Sequence, residues 1–184
     1  MTERLHTDAT RLLGEWRASS PAQETTRRRF LDMLATEPSA ALADNPGAHL
    51  TASMLIVNAT GDRVLLCLHG RFNMWMQVGG HCEPGDASLA EVALREAREE
   101  TGLDGLVLHP EPIDLDVHPV HCAAGRGLHY DVRFAALAPP GAVERVSAES
   151  HALGWFAPDA LPQPLAGSVE RLVAPALDAV SRLS

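Results

Sequence analysis

One stretch constrains this chain more than any other, the run from Gly79 to Leu103, GGHCEPGDASLAEVALREAREETGL. It reads as a glycine loop, a turn and one capped helix. Gly79-Gly80 and Pro84-Gly85-Asp86 are loop and turn signals. Ser88 followed by Glu91 predicts a capping box that starts a helix. Leu89 to Thr101 contains neither Gly nor Pro, and Gly102 stands where a left-handed C′ residue is expected. A helix turns about 100° per residue, so Glu96, Glu99 and Glu100 fall on one arc at i, i+3 and i+4. Like charges so placed repel by a few tenths of a kcal/mol, roughly, per pair. A hard divalent cation offsets that repulsion, and Mg²⁺ commonly bridges carboxylates to substrate phosphates. The plainer alternative is an exposed charged helix held by the i,i+4 pairs Glu91–Arg95 and Arg95–Glu99.

The order of these residues resembles the Nudix box, the signature of the Nudix hydrolases. Gly80 opens it, and Arg95-Glu96-Ala97-Arg98-Glu99-Glu100-Thr101-Gly102-Leu103 closes it without a departure. Between them the usual glutamate is replaced by Asp86, and eight residues rather than seven separate it from Arg95. The resemblance implies cleavage of a phosphoanhydride in a nucleoside diphosphate linked to another moiety, by metal-activated water. It implies Mg²⁺ or Mn²⁺ on Glu96, Glu99, Glu100 and the carbonyl of Gly79, with Arg95 orienting the glutamates. The box does not fix the general base. One of its glutamates serves, or an acid from a later loop, with Glu149 the first candidate and Glu144 the weaker one.

Fold class follows in the same way. Periodicity alone says α+β or α/β. The resemblance implies the α/β (α+β) Nudix fold, a mixed β-sheet sandwiched between helices. An N-terminal helical extension is expected over residues 1–45, ahead of a Nudix domain over 46–184. In the extension, Leu5, Leu12, Leu13 and Trp16 form one stripe, and Ser20-Pro21 with Gln23 starts a second helix as N-cap, N1 proline and capping box. Arg27-Arg28-Arg29 reads as a solvated face. Strands are expected at 50–58 and 64–69, joined as a hairpin, and at 75–78, 105–109, 113–118, 129–137 and 153–156. Residues 168–183 read as an amphipathic helix with Pro175 kinking or breaking it.

Nine histidines, eight of them after residue 48, make a second constellation. His129 and Asp131 share one strand face, and His118, His121 and Cys122 stand close together. Imidazole, thiolate and carboxylate suit Zn²⁺ or Mn²⁺. His49-Leu50-Thr51-Ala52-Ser53, Gly80-His81 and His129-Tyr130-Asp131 resemble the metal-site segments of type 1 isopentenyl-diphosphate isomerases. That resemblance implies a second metal on His49, His81, His129 and Asp131. The isomerases' catalytic cysteine falls at Gly79, and their box is degenerate, so the resemblance speaks for the metal more than for isomerisation. The alternative is separate polar histidines, hydrogen-bonded in or near the pocket.

Composition bounds the rest. A net charge of −9 argues against a general nucleic-acid surface but not against a small-molecule diphosphate substrate. Three cysteines without framework spacing, no secretory leader and no membrane-length apolar run point to the cytoplasm. Cys82 is a minor nucleophile candidate. Phe72, Trp75, Gln77 and Tyr130 are candidates for substrate contact. The N-terminal extension covers either the site or a homodimer interface, and the sequence does not choose. Two other functions stay open, an isopentenyl-diphosphate-isomerase-like enzyme and a non-catalytic nucleotide-sensing module.

Overall fold

The structure is a computed structural model that describes residues 2–42, 47–122, 125–148 and 150–183. Two helices come first, α1 (Thr2–Glu15) and α2 (Pro21–Thr36). Strands β1 (Ala48–Val57), β2 (Val64–His69), β3 (Trp75–Met76) and β4 (Val78–His81) lead into helix α3 (Leu89–Thr101). Then follow β5 (Val107–Leu108), β6 (Asp114–Cys122), β7 (Gly125–Leu137), β8 (Ser150–Phe156) and helix α4 (Val169–Ser181).

One mixed sheet holds all the strands. β1 is its centre: it runs parallel to β7 over its whole length, and antiparallel to β4 and then β2 on the other side. The even positions of β1 (Leu50, Ala52, Met54, Ile56) pair with Tyr130, Val132, Phe134 and Ala136. That face carries the main core, shared by Leu89, Val92, Ala93 and Ala97 of α3 and by Leu5, Leu13 and Phe30 of α1 and α2. The odd positions are divided. Leu55 and Val57 pack under α4, against Val169, Leu172, Val173 and Ala176. His49, Thr51 and Ser53 are polar, and pair with His129, Asp131 and Arg133. The sheet therefore lies between helices, as expected, and half of one face is left polar.

Local expectations met the fold unevenly. The strand expected at 75–78 is two, β3 on β2 and β4 on β1. β6 runs on through Pro119 to Cys122 and, among the described residues, pairs with β7 alone, so the missing N–H of proline costs no ladder bond there. α4 continues through Pro175 rather than breaking, with its apolar face fixed on the sheet. Ser20 caps α2 as expected, accepting from the Gln23 N–H, but the Gln23 side chain does not turn back. It clasps β6 instead, donating to Asp114 Oδ1 (2.9 Å) and the Leu115 carbonyl (3.1 Å) and accepting from the Leu115 N–H (2.9 Å). Asp8 of α1 accepts from the Leu89 N–H at 3.1 Å, so the extension helps to cap α3.

Candidate functional site

Helix α3 forms where its caps dictate. Ser88 Oγ accepts from the Glu91 N–H, and Gly102 closes the helix at φ 66°, a left-handed value that suits glycine. Glu91 returns its carboxylate to the Ala87 N–H at 2.9 Å. This places Glu96, Glu99 and Glu100 along a cavity of about 1020 Å³ that Gly79, Gly80, His81, His129 and Asp131 also line. Glu100 is buried and Glu99 largely exposed.

The glycines set the spacing. A Cβ on Gly80 would stand 2.6 Å from the Glu96 carboxylate. A Cβ on Gly79 (φ 152°) would stand 2.4 Å from Ser53 Cα. Only glycine lets β4 lie this close to β1 and to Glu96. Three carboxylates and a glycine cradle are hard oxygen donors of the kind Mg²⁺ or Mn²⁺ takes.

Arg95 organises this wall. Its Nη1 donates to Glu96 Oε1 (2.9 Å) and Glu99 Oε2 (3.3 Å). Its Nη2 donates to the His81 carbonyl (2.8 Å) and to Asp86 Oδ2 (3.1 Å), and its Nε to Asp86 Oδ1 (3.2 Å). Burial alone would lower the Arg95 pKa, but Asp86 and Glu96 overcome it and hold it above the ordinary value. Asp86, one residue out of the usual register, thus still reaches Arg95. Asp86 Oδ2 also accepts from the Glu83 N–H at 2.7 Å, which fixes the loop.

His49, His81 and His129 converge from β1, β4 and β7. One nitrogen of each lies within 4.8 Å of the others, and His81 Nε2 is 3.1 Å from His129 Nε2. Burial, then the facing His81, His49 and His118, push the His129 pKa down to about 3, so the ring is neutral. Asp131, one step along the same face, is outside that group of three. Its carboxylate accepts from Thr51 Oγ1 (3.2 Å), Ser53 Oγ (2.8 Å) and Arg133 Nε (2.7 Å). The buried Arg133 also pairs with Asp114 (3.1 Å) and Asp116 (2.8 Å), which Arg171 of α4 joins from outside. This Arg133 network went unread in the sequence. The i,i+2 alternation Asp114, Asp116, His118 on β6 was the signal for it.

The remaining candidates separate. Glu149 lies outside the described residues, as do the side chains of His121 and Cys122. Glu144 Oε2 accepts from Trp155 Nε1 at 2.9 Å, a packing role. Tyr130 is buried edge-on against Phe30, so it is core and not a stacking platform. Trp75 packs on Phe156, whereas Gln77 and the exposed Phe72 line the cavity. Cys82 and Cys67 are buried, and burial pushes both thiols up to about 12, which leaves Cys82 inert as a nucleophile. Arg27 and Arg28 both pair with Glu24 on the surface. No helix among the described residues is long and apolar enough to cross a membrane.

Solved structures match this fold. A NUDIX-family hydrolase from Clostridium perfringens is 24% identical with a TM-score of 0.56, over 74% of this chain and 98% of that one. The MutT NUDIX hydrolase of Burkholderia pseudomallei is 26% identical with a TM-score of 0.51, over 71% and 96%. The NUDIX domain of Shewanella oneidensis NrtR is 22% identical with a TM-score of 0.53, over 73% and 88%. The family model described as the NUDIX domain matches residues 47–177, taking in the glycine loop and all of α3. On that match, the chain belongs to the Nudix family and is one of its hydrolases.

Proposed function

We propose that this enzyme cleaves a phosphoanhydride in a nucleoside diphosphate linked to another moiety, with Mg²⁺ or Mn²⁺ as its cofactor. One observation carries the reading: Glu96, Glu99 and Glu100 face Gly79 and Gly80 along a single cavity. Its volume, about 1020 Å³, suits a nucleotide-sized ligand. The Shewanella oneidensis domain was solved complexed with ADP ribose, which makes that compound the first to try.

The three glutamates and the Gly79 carbonyl would hold the metal, which supplies Lewis acidity toward the phosphoryl group and the attacking water. Arg95 fixes the Glu96 and Glu99 carboxylates in place, and Asp86 fixes Arg95. Gln77 and Phe72 bound the substrate within the cavity. Glu149 is the proposed general base. It follows Ser147 and Ala148, which line the same cavity. The helices of residues 1–45 are an extension that braces α3 and β6 through Asp8 and Gln23.

The test is a panel of nucleoside diphosphate derivatives, ADP ribose first, with Mg²⁺ or Mn²⁺ and a phosphate-release readout. Glu96→Gln should lower hydrolysis by at least about 100-fold with the fold intact. Glu149→Gln should lower kcat and leave Mg²⁺ affinity unchanged. Nucleotide binding without any cleavage would replace this reading with a sensing module. Turnover of a prenyl diphosphate that survives Glu96→Gln would replace it with an isomerase.

A further inference from the structure

We propose that His49, His81 and His129 form a second metal centre, for Zn²⁺ or a divalent ion of similar preference, whose open position faces the substrate cavity. The glutamate wall offers only oxygen donors, and this cluster only imidazole nitrogens, so the two select different cations.

Three strands of one sheet build the cluster. The parallel register sets His49 of β1 beside His129 of β7. The antiparallel register sets Thr51 opposite His81 of β4, which brings the His81 ring diagonally across to His49. Ring centroids are 5.0 Å apart for His49 and His81, 4.7 Å for His49 and His129, and 4.9 Å for His81 and His129. Tetrahedral zinc with nitrogens at their usual bond length holds those nitrogens about 3.3 Å from each other. The His81–His129 pair stands at 3.1 Å and all three fall within 4.8 Å, so small ring rotations bring the set to that spacing.

The surroundings suit an ion with an open position. His81 and His129 line the cavity, while His49 is buried. His118 also lines the cavity, its centroid 5.5 Å from that of His129 and its Nδ1 2.9 Å from Asp116 Oδ2. Asp131 is held by Arg133, Thr51 and Ser53, and braces the strands below the cluster. Three protein ligands with a fourth place left open is the pattern of a zinc ion that meets substrate. The ligand for that place is an anionic oxygen, such as a phosphoryl oxygen of the diphosphate. The competing arrangement is a stack of imidazoles without a metal, in which His81 and His129 share a hydrogen bond.

The experiment reads metal, not turnover, so its failure is separate from failure of the hydrolysis reading. Chelator-stripped full-length protein is titrated with Zn²⁺ alone, and separately with Co²⁺. One equivalent should bind, and Co²⁺ should give the intense visible absorption of a four-coordinate site. Affinity should fall at least about 100-fold in His49→Ala/His129→Ala and in His81→Gln. His81→Gln changes a partly exposed ring, and circular dichroism should show it folded. Glu96→Gln/Glu99→Gln/Glu100→Gln should keep the Zn²⁺. Absence of Zn²⁺ binding, binding unchanged in His81→Gln, or binding lost only in the glutamate variant would overturn the proposal.

Discussion

Arg95 and Asp86 meet through two parallel contacts, Nε to Oδ1 at 3.2 Å and Nη2 to Oδ2 at 3.1 Å. The bidentate fork survives a shorter acid and one extra residue between the partners, because the loop before α3 absorbs the offset. Asp86→Ala leaves the guanidinium without its main partner in a mostly buried place. The expected cost is about 2–3 kcal/mol in urea unfolding. Mg²⁺ affinity, measured by calorimetry, should fall by roughly 10- to 100-fold as Glu96 and Glu99 lose their orientation.

Gly80 and Gly79 should respond differently to alanine. At Gly80 the new Cβ meets the end of a flexible side chain, the Glu96 carboxylate. Gly80→Ala should fold normally and lose most of its phosphate release. At Gly79 the Cβ meets the β1 backbone at 2.4 Å, on a φ of 152° that side chains rarely adopt. Gly79→Ala should destabilise by about 2–3 kcal/mol, read as a lower urea midpoint.

Arg133 is 2% exposed and pairs with Asp114, Asp116 and Asp131 together. Arg133→Met keeps much of the bulk and removes the buried guanidinium that Asp114, Asp116 and Asp131 share. It should cost about 3–5 kcal/mol, against a small effect for Arg171→Met, whose head group is half exposed. Chemical denaturation of both variants is the check.

His129 makes stability depend on pH. Burial, then its neighbouring imidazoles, lower its pKa from 6.5 to about 3 in the folded chain. Between those values the unfolded chain binds a proton that the folded chain refuses. The stability is therefore fully present above 6.5 and is lost as pH falls toward 3. Asp116 acts in the same direction in stronger acid. Burial would raise its pKa, but His118, Arg133 and Arg171 outweigh that and hold it well below the usual carboxylate range. Melting temperature, taken in chelator, should fall from about pH 6.5 to about pH 4 and fall less steeply in His129→Asn.

Sequence was enough wherever neighbours along the chain decide the structure. Ser88, Gly102 and the Gly-free run between them place α3, and a helix repeat then puts Glu96, Glu99 and Glu100 on one side. That Arg95 orients those glutamates came from the resemblance to the Nudix box, and Arg95 does reach Glu96 and Glu99. Signals that depend on a partner read less well. Gln23 looked like half of a capping box because the edge of β6, which it clasps, is some ninety residues away. The strand expected at 113–118 stops short of Pro119, and Pro175 reads as a kink or break, yet both elements run through, because a proline's cost depends on whether its site needs the missing N–H. Tyr130 looked available for a base because its partner Phe30 lies a hundred residues earlier.

What the chain by itself determined is helix α3, the row of carboxylates on it and the glycine loop ahead of it, since caps, glycines and helix spacing act within one or two turns. What only the tertiary structure decided is the polar half-face beside it. The parallel β1–β7 register sets His49 by His129 and Thr51 by Asp131, and β4 and β6 bring His81 and Asp116 to the same surface. A slip of one residue would send each of these side chains to the opposite face. Their convergence is therefore a property of strand pairing, which no local run of residues specifies.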